Sequence, residues 1–302
     1  MQEKVTIIGV DVGGSHITAA LVCPRTCTVK IESIVRSTVN AEGSASEILD
    51  VWLDAIAAVL SKREHSADEI YLAFSMPGPF DYANGISLIK GMNKYENLYG
   101  ISIRQIFAER FRIPENHILF INDALAFVRG EVLFGAGKTY NRVFGMTLGT
   151  GLGTGFHENN VTVDLNFGSS PFLSGISEDY ISTRGVLKHY RSVGGKKAND
   201  VQQVVSEIQL SDSPPAKNAM RQLSVWLKDF IMQYVINLNP QIIIIGGNIT
   251  LGHAYFLPTC LELLSDNRVH VPIKLAQMGE CAALSGASSY FKLTHRTESY
   301  GG

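Results

Sequence analysis

Cysteine is scarce: Cys23, Cys27, Cys260 and Cys281 are the only four in 302 residues. So few thiols exclude a disulfide-stapled scaffold and suit a reducing compartment. Cys23 and Cys27 form a lone C-x-x-x-C with no second pair, which reads as structural thiols and not as a metal knot. A dominant sign of charge is also missing. Twenty-six basic residues face 28 acidic ones, the net charge is −2, and charged residues are only 18% of the chain. No basic surface invites nucleic acid or anionic lipid. No apolar run approaches the ~18 residues of a membrane span, and no signal sequence stands before the first strand. The expectation is a cytoplasmic protein with neither membrane nor nucleic-acid partner. The G-x-x-x-x-G-K-[ST] loop is absent. So is a glycine-rich turn from strand to helix of the dinucleotide type, which excludes the two commonest phosphate loops.

Glycine and apolar residues, by contrast, are plentiful. Hydrophobic residues make up 45% of the chain, and many of its 28 glycines sit in short clusters at the ends of apolar runs. At roughly 150 residues per domain the length allows one large or two medium domains. Val5 to Val12 reads as a strand, Ile17 to Val22 as a second, and residues 28–37 as a third, together a meander. A helix is expected over Ser46–Lys62, with Ile48, Leu49, Trp52, Ile56, Val59 and Leu60 near helical spacing. Ile70–Phe74 reads as a buried strand running into Ser75-Met76-Pro77-Gly78-Pro79-Phe80-Asp81, a loop punctuated by proline and glycine. Residues 82–100, including Lys90-Gly91-Met92-Asn93, form either a binding loop or a surface connection. A helix at 102–111, a strand at 117–121, a helix at 124–133 and a strand at 143–148 follow. Phe156 opens a further short strand, with a hairpin turn at His157-Glu158-Asn159-Asn160. Residues 164–177 look irregular, a helix starts near Glu178, and 191–200 is a basic loop. A long helix is expected over 216–238, then the strand Ile242–Ile245, and last a small-residue helix over 282–291 before a loose tail.

Four stretches have the composition of a site. Asp11-Val12-Gly13-Gly14-Ser15 joins two strands by a tight turn. Its glycines let a ligand approach the main chain, and bare N–H groups in such a turn attract an anion. Asp11 beside it suits a hydrated Mg²⁺, which favours one or two carboxylates with phosphate oxygens and water. The same residues equally make an ordinary hairpin turn. Gly149-Thr150-Gly151-Leu152-Gly153-Thr154-Gly155 alternates glycines with hydroxyls after a very apolar strand, which favours a phosphate wrap over a linker. Gly246-Gly247-Asn248 leaves room for a base or ribose on the backbone, or is a plain strand-to-loop transition. In Asn122-Asp123, the carboxylate could take a proton from a substrate hydroxyl and the amide could orient a polyol. Equally, the pair caps the helix that follows. The glycine-rich first hairpin recurs in each half, at 11–15 and 149–155, so two similar α/β domains would clamp one nucleotide between two turns.

In order and spacing, Asp11-Val12-Gly13-Gly14-Ser15-His16, Pro77-Gly78-Pro79, Asn122-Asp123-Ala124 with Gly130-Glu131, Leu148-Gly149-Thr150-Gly151-Leu152-Gly153, Ile245-Gly246-Gly247 and Ser285-Gly286-Ala287 resemble the ROK family of bacterial sugar kinases and related repressors, within the actin-like ATPase superfamily. The resemblance runs over residues 5–290. It implies an α/β fold of two ribonuclease-H-like domains with a cleft between them. The N-terminal domain would be 1–121, with the last helix, 282–302, packed back onto it, and the C-terminal domain 122–281. It implies an ATP-dependent kinase of a hexose or N-acetylhexosamine hydroxyl. Asp11 with Gly13, Gly14, Ser15, Gly149, Thr150 and Gly151 would serve Mg²⁺ and the ATP phosphates. Gly246, Gly247 and Asn248 would serve adenosine. Gly78, Asn93, Asn122 and Glu178 would bind sugar beside Asp123, the catalytic base. A homodimer is implied by the family alone.

Two departures stand out. Family members carry E-x-G-H and then a cysteine-rich zinc loop before the glutamate. Here Asp164-Leu165-Asn166-Phe167-Gly168-Ser169-Ser170-Pro171-Phe172-Leu173-Ser174-Gly175-Ile176 contains neither cysteine nor histidine. Zinc needs about four N, S or O ligands, so no structural zinc is expected, and Asp164 is a weak stand-in for the glutamate–histidine pair. Ser15-His16 replaces the usual Thr and Lys. The rewritten segment keeps open an alternative, a non-catalytic sugar- or nucleotide-binding sensor. Without an amino-terminal helix-turn-helix, DNA binding is not expected of it.

Overall fold

The computed structural model describes residues 5–63, 69–92 and 94–297. The chain forms two α/β units. Unit 1 runs to Gly135 and resumes at Met278, and unit 2 is Ala136–Gln277.

The sheet of unit 1 contains β1 (Val5–Val12), β2 (His16–Val22), β3 (Val35–Thr38), β4 (Glu69–Met76) and β5 (Ile118–Asn122), in the order β3-β2-β1-β4-β5. The first three strands are antiparallel and the last two pairings are parallel. Its two faces bury different residues because strand side chains alternate. Ile8, Val10, Leu72 and Phe74 pack with Trp52 of α1 (Ala45–Ser61) and Phe107 of α2 (Ile103–Phe111). Ile7, Tyr71, Ala73 and Ile121 pack with Ala126 of α3 (Asp123–Phe134) and Ala287 of α8 (Cys281–Thr297). A capping box at Ser44 and Glu47 starts α1.

The expected third strand, 28–37, is shorter than the sequence suggests. Ile31–Ser33 turns as a 3₁₀ helix. The Ser33 hydroxyl accepts the Leu21 N–H at 2.8 Å and donates to the Lys30 carbonyl at 2.6 Å, so a side chain replaces the strand partner there. The division between units falls at Gly135, where the sequence suggested residue 121, because α3 packs on α8. That crossing is close. A Cβ on Gly130 would lie 2.0 Å from the Ala282 carbonyl oxygen, and one on Gly286 would lie 1.8 Å from that of Ala126. Buried Glu131 ties the returning chain to α3 by accepting the Met278 N–H at 2.7 Å.

Unit 2 repeats the topology. Its sheet contains β6 (Arg142–Leu148), β7 (Leu152–Glu158), β8 (Val161–Asp164), β9 (Ile242–Gly246) and β10 (Ile273–Leu275), in the order β8-β7-β6-β9-β10. Again a three-stranded meander precedes two parallel pairings. The helices are α4 (Thr183–Ser192), α5 (Val201–Ser211), α6 (Pro214–Phe230) and α7 (Leu257–Asp266). The long helix expected to reach residue 238 leaves α-helical geometry after Phe230, through a π turn at Ile231–Val235 and a 3₁₀ turn at Ile236–Leu238. Strand β7 starts at Leu152 and not at Phe156, which leaves Gly149–Gly151 as the turn. Asn159 and Asn160, both at positive φ, turn the next hairpin. Helix α8 continues to Thr297, and residues 298–302 lie outside the described residues. Among the described residues no helix is long and apolar enough to cross a membrane.

Because neither backbone can retreat at the α3–α8 crossing, Gly286→Ala should lower the unfolding free energy by at least about 2 kcal/mol, within the range for overpacking. Urea denaturation reads this directly; a variant as stable as wild type would contradict the crossing.

Candidate active site

The parallel register of unit 1 aligns Asp11 with Ser75 and Met76 with Asn122 across β1, β4 and β5. The carboxyl ends of three strands therefore deliver polar side chains to one edge. The Ser75 hydroxyl, fully buried, donates to Asp11 Oδ1 at 2.7 Å. Loss of hydration raises the Asp11 pKa from 3.8 to about 6, against the lowering effect of Ser75, and the charges of Asp123 and Glu280 raise it further. A hard cation bound beside the two carboxylates would favour the ionised form of Asp11. Among the described residues no three His, Cys, Asp or Glu side chains gather as a metal cluster. The donor set fits Mg²⁺, which takes one or two carboxylates and fills its shell with phosphate oxygens and water.

The adjoining turn is held from behind. Gly13 N–H donates to the His16 carbonyl at 2.9 Å, and the Tyr95 hydroxyl donates to the Gly13 carbonyl at 2.7 Å. Tyr95 is fully buried, and burial pushes its phenol up, so it remains a donor. Gly14 and Ser15 are exposed, and a Cβ on Gly14 would meet nothing within 4 Å. Burial and the nearby Arg36 hold His16 below its ordinary pKa, so it brings no charge to the turn at neutral pH. Arg36 itself is paired with Glu280.

Asn122 and Asp123 open α3. Asn122 Oδ1 accepts the N–H groups of Ala124 at 2.9 Å and Leu125 at 3.2 Å, and Asp123 Oδ1 also accepts from Ala124 at 2.8 Å. The capping role is thus present, and both side chains remain half-exposed beside the Asp11 edge. A Cβ on Gly78 would lie 3.4 Å from the Tyr82 hydroxyl, which itself receives the Asn122 amide at 3.2 Å. Gly78, Asn122 and Asp123 are therefore gathered with Asp11 in unit 1. Asn93 lies outside the described residues.

In unit 2 the register Thr147↔Gly246 places the Gly149 turn beside Gly247. Gly149 N–H donates to the Gly151 carbonyl at 3.0 Å, and the Thr183 N–H donates to the Gly149 carbonyl at 2.8 Å. Glu178 lies against this turn. Its Oε2 accepts the Leu152 N–H at 3.0 Å and would sit 2.5 Å from a Cβ on Gly151, while Arg184 lies 3.5 Å from Oε1. Gly247 has φ +89° and a Cβ there would come 2.3 Å from the Leu148 carbonyl oxygen, so only glycine fits. Gly247 and Asn248 are exposed and Gly246 is buried.

The segment 164–177 is tied by aromatic packing. Phe167 stands 5.1 Å from Tyr234, Phe172 is 5.6 Å from Tyr180, and Tyr234 donates to the Pro171 carbonyl. Asp164 is exposed and accepts the Asn166 N–H at 2.8 Å, a turn-forming role. Sequence reasoning missed Ser75, Tyr82 and Tyr95. Ser75 alone was within reach of it, since it ends the strand parallel to that of Asp11.

The model of the ROK family matches residues 7–171 and 174–294. The glucokinase of Thermotoga maritima is 25% identical over 275 residues, 82% of this chain and 83% of that protein. The xylose repressor of Bacillus spizizenii is 25% identical over 271 residues, 83% of this chain and 66% of the repressor. A ROK family glucokinase from Streptomyces griseus, solved in complex with glucose and AMPPNP, superposes with a TM-score of 0.75 at 22% identity, covering 95% of this chain and 99% of that one. The fold is that of the Streptomyces griseus protein.

Between about pH 4 and 6 folded Asp11 keeps a proton that the unfolded chain has released, so its contribution to stability falls as pH rises through that window. In metal-free buffer with chelator, wild type should lose stability relative to Asp11→Asn from pH 4 to 6.5. Chemical denaturation at each pH checks this, and a constant difference contradicts it.

Proposed function

The chain belongs to the ROK family, and we propose that it is an ATP-dependent kinase that phosphorylates a hydroxyl of a hexose or N-acetylhexosamine. The observation that carries the reading is the strand-end edge of unit 1, where Ser75 holds the Asp11 carboxylate at 2.7 Å, loss of hydration and then the Asp123 charge raise the proton affinity of Asp11, and Asn122 stands at the residue before Asp123. A cation-seeking carboxylate beside a second acid and a helix-capping amide is an arrangement suited to phosphoryl transfer to an alcohol.

In this reading Asp123 accepts the proton of the attacking hydroxyl as the phosphoryl group moves. Asn122, Gly78, Asn93 and Glu178 bind the sugar. The amides of Gly13, Gly14 and Ser15, and those of Gly149, Thr150 and Gly151, contact the ATP phosphates. Gly246, Gly247 and Asn248 receive the adenosine. Asp11 would hold Mg²⁺, which supplies neutralisation of phosphate charge when bound. Ser75 fixes the Asp11 carboxylate and Tyr95 fixes the Gly13 turn, so both groups are in place before substrate arrives. Catalysis then rests on positioning more than on covalent chemistry. The similarity to a xylose repressor supports a second reading, a sugar-responsive regulator without turnover.

Asp123→Asn should keep nucleotide affinity within about twofold by calorimetry and lose roughly 10²- to 10⁴-fold in turnover, the range for a general base. A coupled assay over hexoses and N-acetylhexosamines reads the rate. Wild-type turnover in the variant would overturn the mechanism, and wild-type silence across the panel with binding retained would favour the regulator.

A further inference from the structure

Asn122 has one acceptor atom and two amide hydrogens. The acceptor is fully committed: Oδ1 takes the Ala124 N–H at 2.9 Å and the Leu125 N–H at 3.2 Å. This double acceptance fixes which end of the amide is oxygen, since a flipped amide would set NH₂ against two donors. The other end is fixed by Tyr82. Asn122 Nδ2 donates to the Tyr82 hydroxyl at 3.2 Å, and that hydroxyl donates its own hydrogen to the Met76 carbonyl at 3.1 Å. The Tyr82 ring is half-buried and packs 5.3 Å from Phe80, and Arg104 donates to its carbonyl at 3.4 Å. The phenol is thus held by its neighbours, with its single hydrogen already spent on Met76.

We propose that Tyr82 is a positioning residue that locks the Asn122 amide, leaving it one Nδ2 hydrogen and therefore the role of donor only toward a substrate hydroxyl. The inference rests on the kinase reading for its functional meaning, whereas the lock itself is a property of the free protein. A donor-only amide reads the oxygen of a hydroxyl and cannot accept its hydrogen. Asp123, next in the chain, is the complementary acceptor. The substrate hydroxyl meeting Asn122 must accept, and the one meeting Asp123 must donate.

Tyr82→Phe removes the hydroxyl and keeps the ring. With D-glucose, or whichever hexose or N-acetylhexosamine the wild type phosphorylates, KM for the sugar should rise about three- to tenfold, the worth of one neutral hydrogen bond. KM for ATP should stay within about twofold and the variant should remain folded by circular dichroism. An unchanged sugar KM, or equal rises in both constants, would overturn the positioning role. Side-chain amide hydrogen exchange of Asn122, followed by NMR in the free protein, tests the lock without turnover. One of the two amide hydrogens should exchange more slowly than the other in wild type, and the difference should vanish in the variant. Equal exchange in wild type, or a difference that survives Tyr82→Phe, would overturn the lock. Silence of the wild type toward every sugar, with the exchange difference present, would sink the kinase reading and leave the lock standing.

Discussion

Three parallel strands of unit 1 end level with one another, and that level edge sets the positions of Asp11, Ser75 and Asn122. Register, once chosen, admits no partial slip: a shift of one residue would turn Asp11 and Ser75 to opposite faces. The buried Ser75 hydroxyl then holds a carboxylate whose proton affinity burial has raised. The apolar interior on both faces of the sheet enforces the register, so hydrophobic packing and the electrostatics of Asp11 are coupled.

Unit 2 applies the same arrangement to a different composition. Strand β9 ends in Gly246 and β6 runs into Gly149, and the turn beyond β6 is braced by Glu178 where unit 1 uses Tyr95. In both units the exposed backbone of the turn is thereby separated from the group that stiffens it. The segment 164–177 shows another substitution of means. Phe167, Phe172 and Tyr234 hold together a stretch with no metal-ligating cysteine or histidine, so aromatic burial does the cross-linking.

Much of this was legible in the chain. Glycine clusters after β-branched runs marked the strand ends, and Asp11, Asn122 and Asp123 were legible as acids and an amide at those ends. The small-residue helix α8 was legible as a helix, but its close crossing with α3 was not. Other features depended on contacts that no local pattern encodes. Tyr82 acts through a partner 40 residues away. Helices α5 and α7, by contrast, carry local signals that were passed over: the Asp200 side chain caps α5 and Pro258 stands in the first turn of α7. The third strand was overread because the Ser33 side chain takes over a backbone partner. Gly153 and Gly155 looked like part of the turn, yet the pairing of β6 with β7 draws them into the ladder.

The proposed phosphoryl transfer requires the acceptor hydroxyl to sit at the Asp11–Asn122–Asp123 edge. A crystal structure with Mg²⁺, AMPPNP and a bound hexose measures this most directly. The expected result has the acceptor hydroxyl within hydrogen-bond distance of Asp123, the Asn122 amide donating to a sugar oxygen and the metal on the Asp11 side. A sugar bound away from that edge, with Asp123 making only its helix-capping contact, would contradict it.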